Sequence, residues 1–186
     1  MADSAEVRRA LLTYEDYLCL PSDGKRYEVL EGGLIMNPAP DLSHQGVSRN
    51  LVVILSNFLK GTNTGALYHA PVDVVLDDRT IVQPDIIFIS KEKSSILGSR
   101  GIEGAPDLVV EIHSASTMRT DRVIKFQLYA QFGVEWYWML DPRVKVLEEY
   151  ARKGEGYTLV SEHSGNTIFK PALFPGLAIE LGEVWE

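Results

Sequence analysis

The chain has 186 residues, 45% hydrophobic and 24% charged, an ordinary globular composition with length enough for one proper core. Its net charge of -8, from 26 acids against 18 bases, argues against a sequence-independent nucleic-acid binder held by bulk positive charge. It leaves room for an enzyme whose clustered carboxylates recruit a divalent cation to meet phosphate. Cys19 is the single cysteine, which excludes an intrachain disulfide and a cysteine-built zinc site. No apolar run approaches a membrane span, so no membrane partner is expected.

Residues 1–12 read as a flexible or helical lead-in to a domain over residues 13–186. The opening MADSAEVRRA mixes acids with bases and has no apolar core, so it is not a signal peptide, and a cytoplasmic setting is expected. Thr13, followed by Glu15 and Asp16, marks a short helix ending near Leu20-Pro21. KRYEVLEGGLIMNPAP reads as a hairpin turning at Gly32-Gly33. Ser43 is the expected cap of a helix running to Leu59 and closed by Gly61, with Val47, Leu51, Ile54, Leu55 and Phe58 at helical spacing. Strands are expected over Ala66 to Leu76 and Ile81 to Ile89, with Asp77-Asp78-Arg79 as the turn between them. The Lys-, Ser- and Gly-rich stretch 91–105 reads as a mobile loop. PDLVVEIHSAST, residues 106–117, is the next strand, and a helix follows from Asp121 to Phe132 with Gly133 as its C-cap. A very aromatic strand over Val134 to Leu140 closes at Asp141-Pro142, its Trp136-Tyr137-Trp138 run belonging to core and sheet surface. A second hairpin joins Val144 to Tyr150 with Tyr157 to Val160. This order points to an α/β domain with a mixed sheet.

Two acids stand in strands that otherwise want burial. Asp85 lies in VQPDIIFI and shares a strand face with Ile87. Glu111 follows Leu108-Val109-Val110 and shares a face with Val109 and His113. Burying a lone carboxylate is expensive. Two that converge repel each other unless a cation lies between them, and hard oxygen ligands suit Mg²⁺ or Mn²⁺. Asp121, Lys125 and Tyr129 are spaced by four and stack on one helix face, so Lys125 can be aimed at the acids or simply paired with Asp121. Glu28, between Tyr27 and Val29, is a further candidate; its plain alternative is a solvated pair with Arg26 or Lys25. His44 reads as a helix-entry, hydrogen-bonding residue rather than a ligand.

RYEVLEG (26–32), SHQ (43–45), QPDIIFI (83–89), PDLVVEIHSAST (106–117), DRVIKFQLYAQFGVEWYWMLDP (121–142) and FPGLAIEL (174–181) together resemble the bacterial putative restriction endonuclease family of the PD-(D/E)XK nuclease superfamily. The resemblance covers nearly the whole chain. It implies a restriction-endonuclease-like single domain, a mixed sheet flanked by helices with a metal at its edge. It implies a Mg²⁺- or Mn²⁺-dependent endonuclease acting on DNA. Asp85 and Glu111 match the metal-binding acids, the Ile112 carbonyl would be a third ligand, and Glu28 matches the acid of the first hairpin. The lysine of the E-x-K element is replaced by His113, and Lys125 matches a lysine displaced onto the next helix. His113 would then be a ligand, a proton carrier or a hydrogen-bonding neighbour of a carboxylate. Arg100, Lys91, Lys93, Arg119 and Arg122 offer a basic patch near the acids. A homodimer is compatible with a fold that cuts both strands, though no interface is legible. Two rivals stand beside this reading. One is a non-catalytic nucleic-acid- or protein-binding domain on the same fold, which His113 favours. The other is a metal-independent hydrolase with paired carboxylates.

Overall fold

The computed structural model describes residues 11–114, 118 and 120–186, so the lead-in expected over 1–12 falls, as far as residue 10, outside the described residues. Helix α1 (Tyr14–Leu18) is capped by Thr13, and the Asp16 side chain returns a bond to the Thr13 backbone. Strands β1 (Arg26–Leu30) and β2 (Gly33–Asn37) form the first hairpin. Its turn is Glu31-Gly32, one residue earlier than expected, and both residues have positive φ, at 49° and 80°. Glycine relieves that geometry at the second position, and the glutamate at the first bears it.

Helix α2 (Leu42–Thr62) is longer than its sequence signals suggest. It is capped by Asp41 rather than Ser43 and closes at Asn63, which takes the left-handed conformation assigned to Gly61. His44, Val47, Leu51, Leu55 and Leu59 form its buried stripe. Burial of each aliphatic member contributes about 1.5–3 kcal/mol.

The run expected as one strand over 66–76 is two. Strand β3 (Gly65–His69) and strand β4 (Val74–Asp77) lie in different sheets, parted at Pro71, which has no N–H to continue a ladder. The run over 81–89 divides likewise into β5 (Thr80–Val82) and β6 (Ile86–Ser90), with Pro84 between them. Residues 91–105 are not a bare loop: a short 3₁₀ turn (Ser94–Ile96) precedes β7 (Ile102–Glu103). Strand β8 (Leu108–Ile112) follows.

A π-helical turn (Thr120–Lys125) leads into α3 (Phe126–Phe132), which stops at Gly133 with φ 89°. Strands β9 (Trp136–Asp141), β10 (Val146–Lys153) and β11 (Gly156–Ser164) continue as a meander with a longer hairpin than expected. A ribbon of β12 (Ile168–Phe169) and β13 (Ile179–Glu180) and the turn-length α4 (Leu181–Val184) end the chain.

Among the described residues the strands make three sheets. One runs β2-β1-β5-β4-β7, the second runs β11-β10-β9-β8-β6-β3, and β12-β13 is the third. In the six-stranded sheet β8 and β9 are parallel and every other pair is antiparallel. One face buries Ile86, Phe88, Leu108, Val110, Trp138 and Leu140 against α2, α4 and the terminal ribbon. The other buries Ile87, Ile89, Val109, Tyr137 and Met139 against α3 and the five-stranded sheet. Tyr137 and Trp138 are fully buried, as expected of core aromatics. The result is one α/β domain in which two sheets and two helices meet at the C-terminal end of β8.

Candidate functional site

The pairing of β6 with β8 runs Phe88↔Leu108, Ile87↔Val109, Ile86↔Val110. Continued by one residue, that register sets Asp85 opposite Glu111 on one face of the sheet. Both are nearly buried, at 4% and 3% exposure, and both line a cavity of about 300 Å³. Arg26, Asn37, the Pro38-Ala39-Pro40 segment, His44, Asp121 and Lys125 complete much of its wall.

Asp85 is held on one side. Its Oδ2 accepts from the Ile112 backbone N–H at 2.8 Å and lies 3.0 Å from His44 Nε2. Its Oδ1 has a longer ion pair with Arg26, at 3.6 Å. Burial works against the charge, but the His44 hydrogen bond and charge, the Ile112 N–H and Arg26 outweigh it and hold the carboxyl below its ordinary range. His44 owes its place to α2: it is the first member of the buried stripe, and the Asp41 side chain caps its N–H at 2.8 Å. With Nε2 donating, His44 Nδ1 is buried without a partner among the described residues.

Glu111 is held on the other side. Its Oε1 accepts from Tyr129 OH at 2.7 Å and from Lys125 Nζ at 3.1 Å. Its Oε2 has no hydrogen bond among the described residues. Burial pushes this carboxyl well above the ordinary range; Lys125 opposes that, and Asp121, Asp85 and Glu28 add to it. Lys125 is also buried, and burial opposes its charge, but Glu111, Glu28 and Asp121 overcome that and raise its ammonium pKa. It remains a cation throughout the ordinary pH range.

Glu28 completes the cluster. Fully buried, it meets Lys125 Nζ at 2.8 Å and accepts from the Gln83 N–H at 2.7 Å and from Asn37 Nδ2 at 2.6 Å. Asp121 lies 3.7 Å from Lys125, and its other oxygen lies 3.2 Å from His113 Nδ1. His113 therefore stands as a hydrogen-bonding neighbour of a carboxylate. From the position of the missing lysine it holds the turn that carries Lys125.

The structure thus brings Glu28, Asp85, Glu111 and Lys125 together and sets Ile112 in the same wall. It does not assemble the expected basic patch. Lys93 pairs with Asp107, Arg122 pairs with Glu148, and Arg100 lies over Tyr14, while Arg119 lies outside the described residues. Neither Lys91 nor any of those three described residues lines the cavity, whose cations are Arg26 and Lys125. The plain alternative for Glu28 is replaced too: it pairs with Lys125 rather than Arg26 or Lys25. Sequence reading missed Gln83 and Asn37 as supports of Glu28. Gln83 acts through its backbone N–H, which any residue supplies, so its side chain carried no signal.

A sequence profile described as "Uma2: Putative restriction endonuclease" matches residues 14–182. The chain belongs to the Uma2 family. The Uma2 match spans every residue of the cluster. Among solved structures, a crystal structure described as a putative nuclease belonging to DUF820, from Anabaena variabilis, superposes with a TM-score of 0.76. It covers 94% of this chain and 97% of that one at 18% sequence identity, a likeness of fold. The comparison with curated proteins returned no match.

The resemblance drawn from the sequence implies a divalent cation, and the donor set bears on whether one would fit. Among the described residues no group of three His, Cys, Asp or Glu side chains is arranged as a ready-made metal site. The pair Asp85 and Glu111 does fit a hard cation: each hydrogen-bonds protein donors through one oxygen, Asp85 Oδ1 has only the longer 3.6 Å ion pair with Arg26, and both line the same cavity. Two protein carboxylates with water and phosphate completing the shell is the arrangement Mg²⁺ favours.

Proposed function

We propose that this chain is a divalent-cation-dependent endonuclease hydrolysing phosphodiester bonds in DNA, with Asp85, Glu111, Lys125 and Glu28 as its working residues. The observation that carries the reading is the cross-strand pair of Asp85 and Glu111 beside a buried lysine: Glu111 Oε2 has no hydrogen bond among the described residues, and Asp85 Oδ1 has only the 3.6 Å ion pair with Arg26. Asp85 and Glu111 would hold Mg²⁺ or Mn²⁺, with the Ile112 carbonyl as the backbone ligand. A cation bound there supplies Lewis-acid polarisation of the phosphate and acidifies a bound water.

The remaining work falls to the protein. Lys125 stays protonated, so it is no general base; its ammonium orients a water and meets charge developing on phosphorus. Glu28 has both oxygens engaged, by Gln83, Asn37 and Lys125, which makes it the anchor that aims the lysine. His44 and the Ile112 N–H fix the Asp85 rotamer. The family and the neighbouring nuclease structure support the reaction class.

The test is plasmid nicking in Mg²⁺ or Mn²⁺. Nicking should be abolished by EDTA, by Asp85→Ala and by Glu111→Ala. Metal-dependent nicking that survives Asp85→Ala overturns this site. Absence of nicking together with absence of Mn²⁺ binding by calorimetry favours a non-catalytic binding domain, a reading helped by the close engagement of Lys125 with three acids.

A further inference from the structure

We infer that a second concavity beside the acid cavity is a subsite for an unpaired nucleobase, so that the preferred substrate carries an unstacked nucleotide at the scissile phosphate. This rests on the nuclease reading above and names its substrate class. The second concavity encloses about 290 Å³ and is lined by Lys25, Arg26, Met36, Pro38, Ala39 and Pro40, with Gly24 and Asn37. Arg26, Asn37 and the Pro38-Ala39-Pro40 segment also line the acid cavity, so the two hollows share a wall. A nucleotide has its phosphate and its base at a fixed covalent reach, which suits two adjoining hollows of different chemistry.

The chemistry of each hollow fits one part. The first gathers carboxylates for a cation and its phosphate. The second is apolar, and no acid lines it among the described residues, although the chain carries a net charge of -8. Met36 is 57% exposed there, a large apolar side chain presented to solvent. Proline rings and a thioether are the kind of surface that apolar wedges present to unstacked bases. Lys25 and Arg26 supply positive charge at the rim, Lys25 being paired at 2.9 Å with Asp23. Arg26 spans both hollows; it donates to the Gln83 carbonyl at 2.6 Å, and its buried Nε lacks a partner among the described residues.

A regular duplex keeps its bases stacked and out of reach, and it is normally gripped through many phosphate contacts from Lys and Arg. Lys91, Lys93, Arg100 and Arg122 line neither hollow. The recessed acids, 3–4% exposed, likewise favour a strand that can bend inward over one that must stay helical.

The experiment uses fluorescein-labelled DNA as a short single strand, as the matched duplex, and as a duplex with one bulged nucleotide. Binding is followed by anisotropy in EDTA and cleavage in Mn²⁺, for the wild type and for Met36→Glu. Single strand and bulge should bind and be cut faster than the duplex. Met36→Glu should weaken single-strand binding about tenfold, with melting temperature and Mn²⁺ affinity unchanged. A duplex that binds and cuts as well as the single strand overturns the subsite, as does single-strand binding indifferent to Met36→Glu. If no DNA is cut but single strand still binds in a Met36-dependent way, the nuclease reading falls and the subsite stands. If no DNA binds, the subsite falls.

Discussion

Asp85 and Glu111 sit opposite each other, yet their surroundings push their protonation in opposite directions. Hydrogen bonds from His44 and Ile112 favour the charged form of Asp85, whereas burial beside three other acids disfavours the charge of Glu111. One lysine serves Glu28, Glu111 and Asp121, so the cluster is short of positive charge until a cation enters. The sign of the consequence follows from linkage. A carboxyl whose folded pKa lies above its ordinary 4.5 contributes full stability below that value, and the contribution is lost as pH rises through the folded pKa. Through Glu111, metal-free protein should therefore lose thermal stability as pH climbs above about 4.5. Glu111→Gln should flatten that slope, raise the melting temperature at pH 8 by about 2–4 °C, and abolish nicking. Scanning calorimetry in EDTA across that range checks it; a mutant less stable than the wild type at pH 8 contradicts the account. His44 is the complementary case. His44→Ala frees the Asp85 rotamer and should weaken Mn²⁺ affinity about 10- to 100-fold by calorimetry, with His44→Gln recovering part of it. Unchanged Mn²⁺ affinity in His44→Ala would remove His44 from the site.

At the scale of elements, the cap of α2 and the candidate site are one device. Asp41 holds the His44 N–H while the His44 ring holds Asp85. Asp41→Ala should cost about 1 kcal/mol in denaturant unfolding, and Asp41→Asn much less, because an amide oxygen still caps. If Asp41→Ala unfolds at the same denaturant concentration as the wild type, the cap is idle. This cap also shows where the sequence spoke and where it did not. The 3.6-residue stripe from Val47 to Leu59 located α2, but Ser43 and Asp41 are both good caps, and only the chain direction after Pro40 selects the aspartate. The acids were legible because each breaks an apolar strand run, and the Asp85–Glu111 pairing followed once the strands were neighbours. The splitting of two long runs at Pro71 and Pro84 was the harder part. Prolines mark possible breaks, but membership of two separate sheets is decided by long-range pairing that no local pattern carries. The same holds for Glu28, which stands in the five-stranded sheet whereas Glu111 stands in the six-stranded one; both meet Lys125 only because the sheets close on each other.

For the whole molecule the question is how a chain of charge -8 engages a polyanion. Lys93, Arg122 and Arg143 are paired with Asp107, Glu148 and Asp141, and Lys125 is locked among three acids. Arg26, at the shared wall of the two hollows, and Lys25, at the rim of the second and in an exposed pair with Asp23, are the cations nearest a strand entering the site. Counterion release scales with the number of phosphates neutralised. Two such contacts on a single strand predict a slope of log K against log salt near about -1.4. That is shallow beside a basic duplex-binding surface, where six or more contacts give a slope of about -5 or steeper. Anisotropy titrations of labelled single-stranded DNA in EDTA, at several salt concentrations, measure the slope directly. Arg26→Gln should reduce it by about 0.7, the share of one phosphate contact. A steep slope that Arg26→Gln leaves untouched would place the binding surface away from the acid cavity, and cleavage there would need a different set of residues.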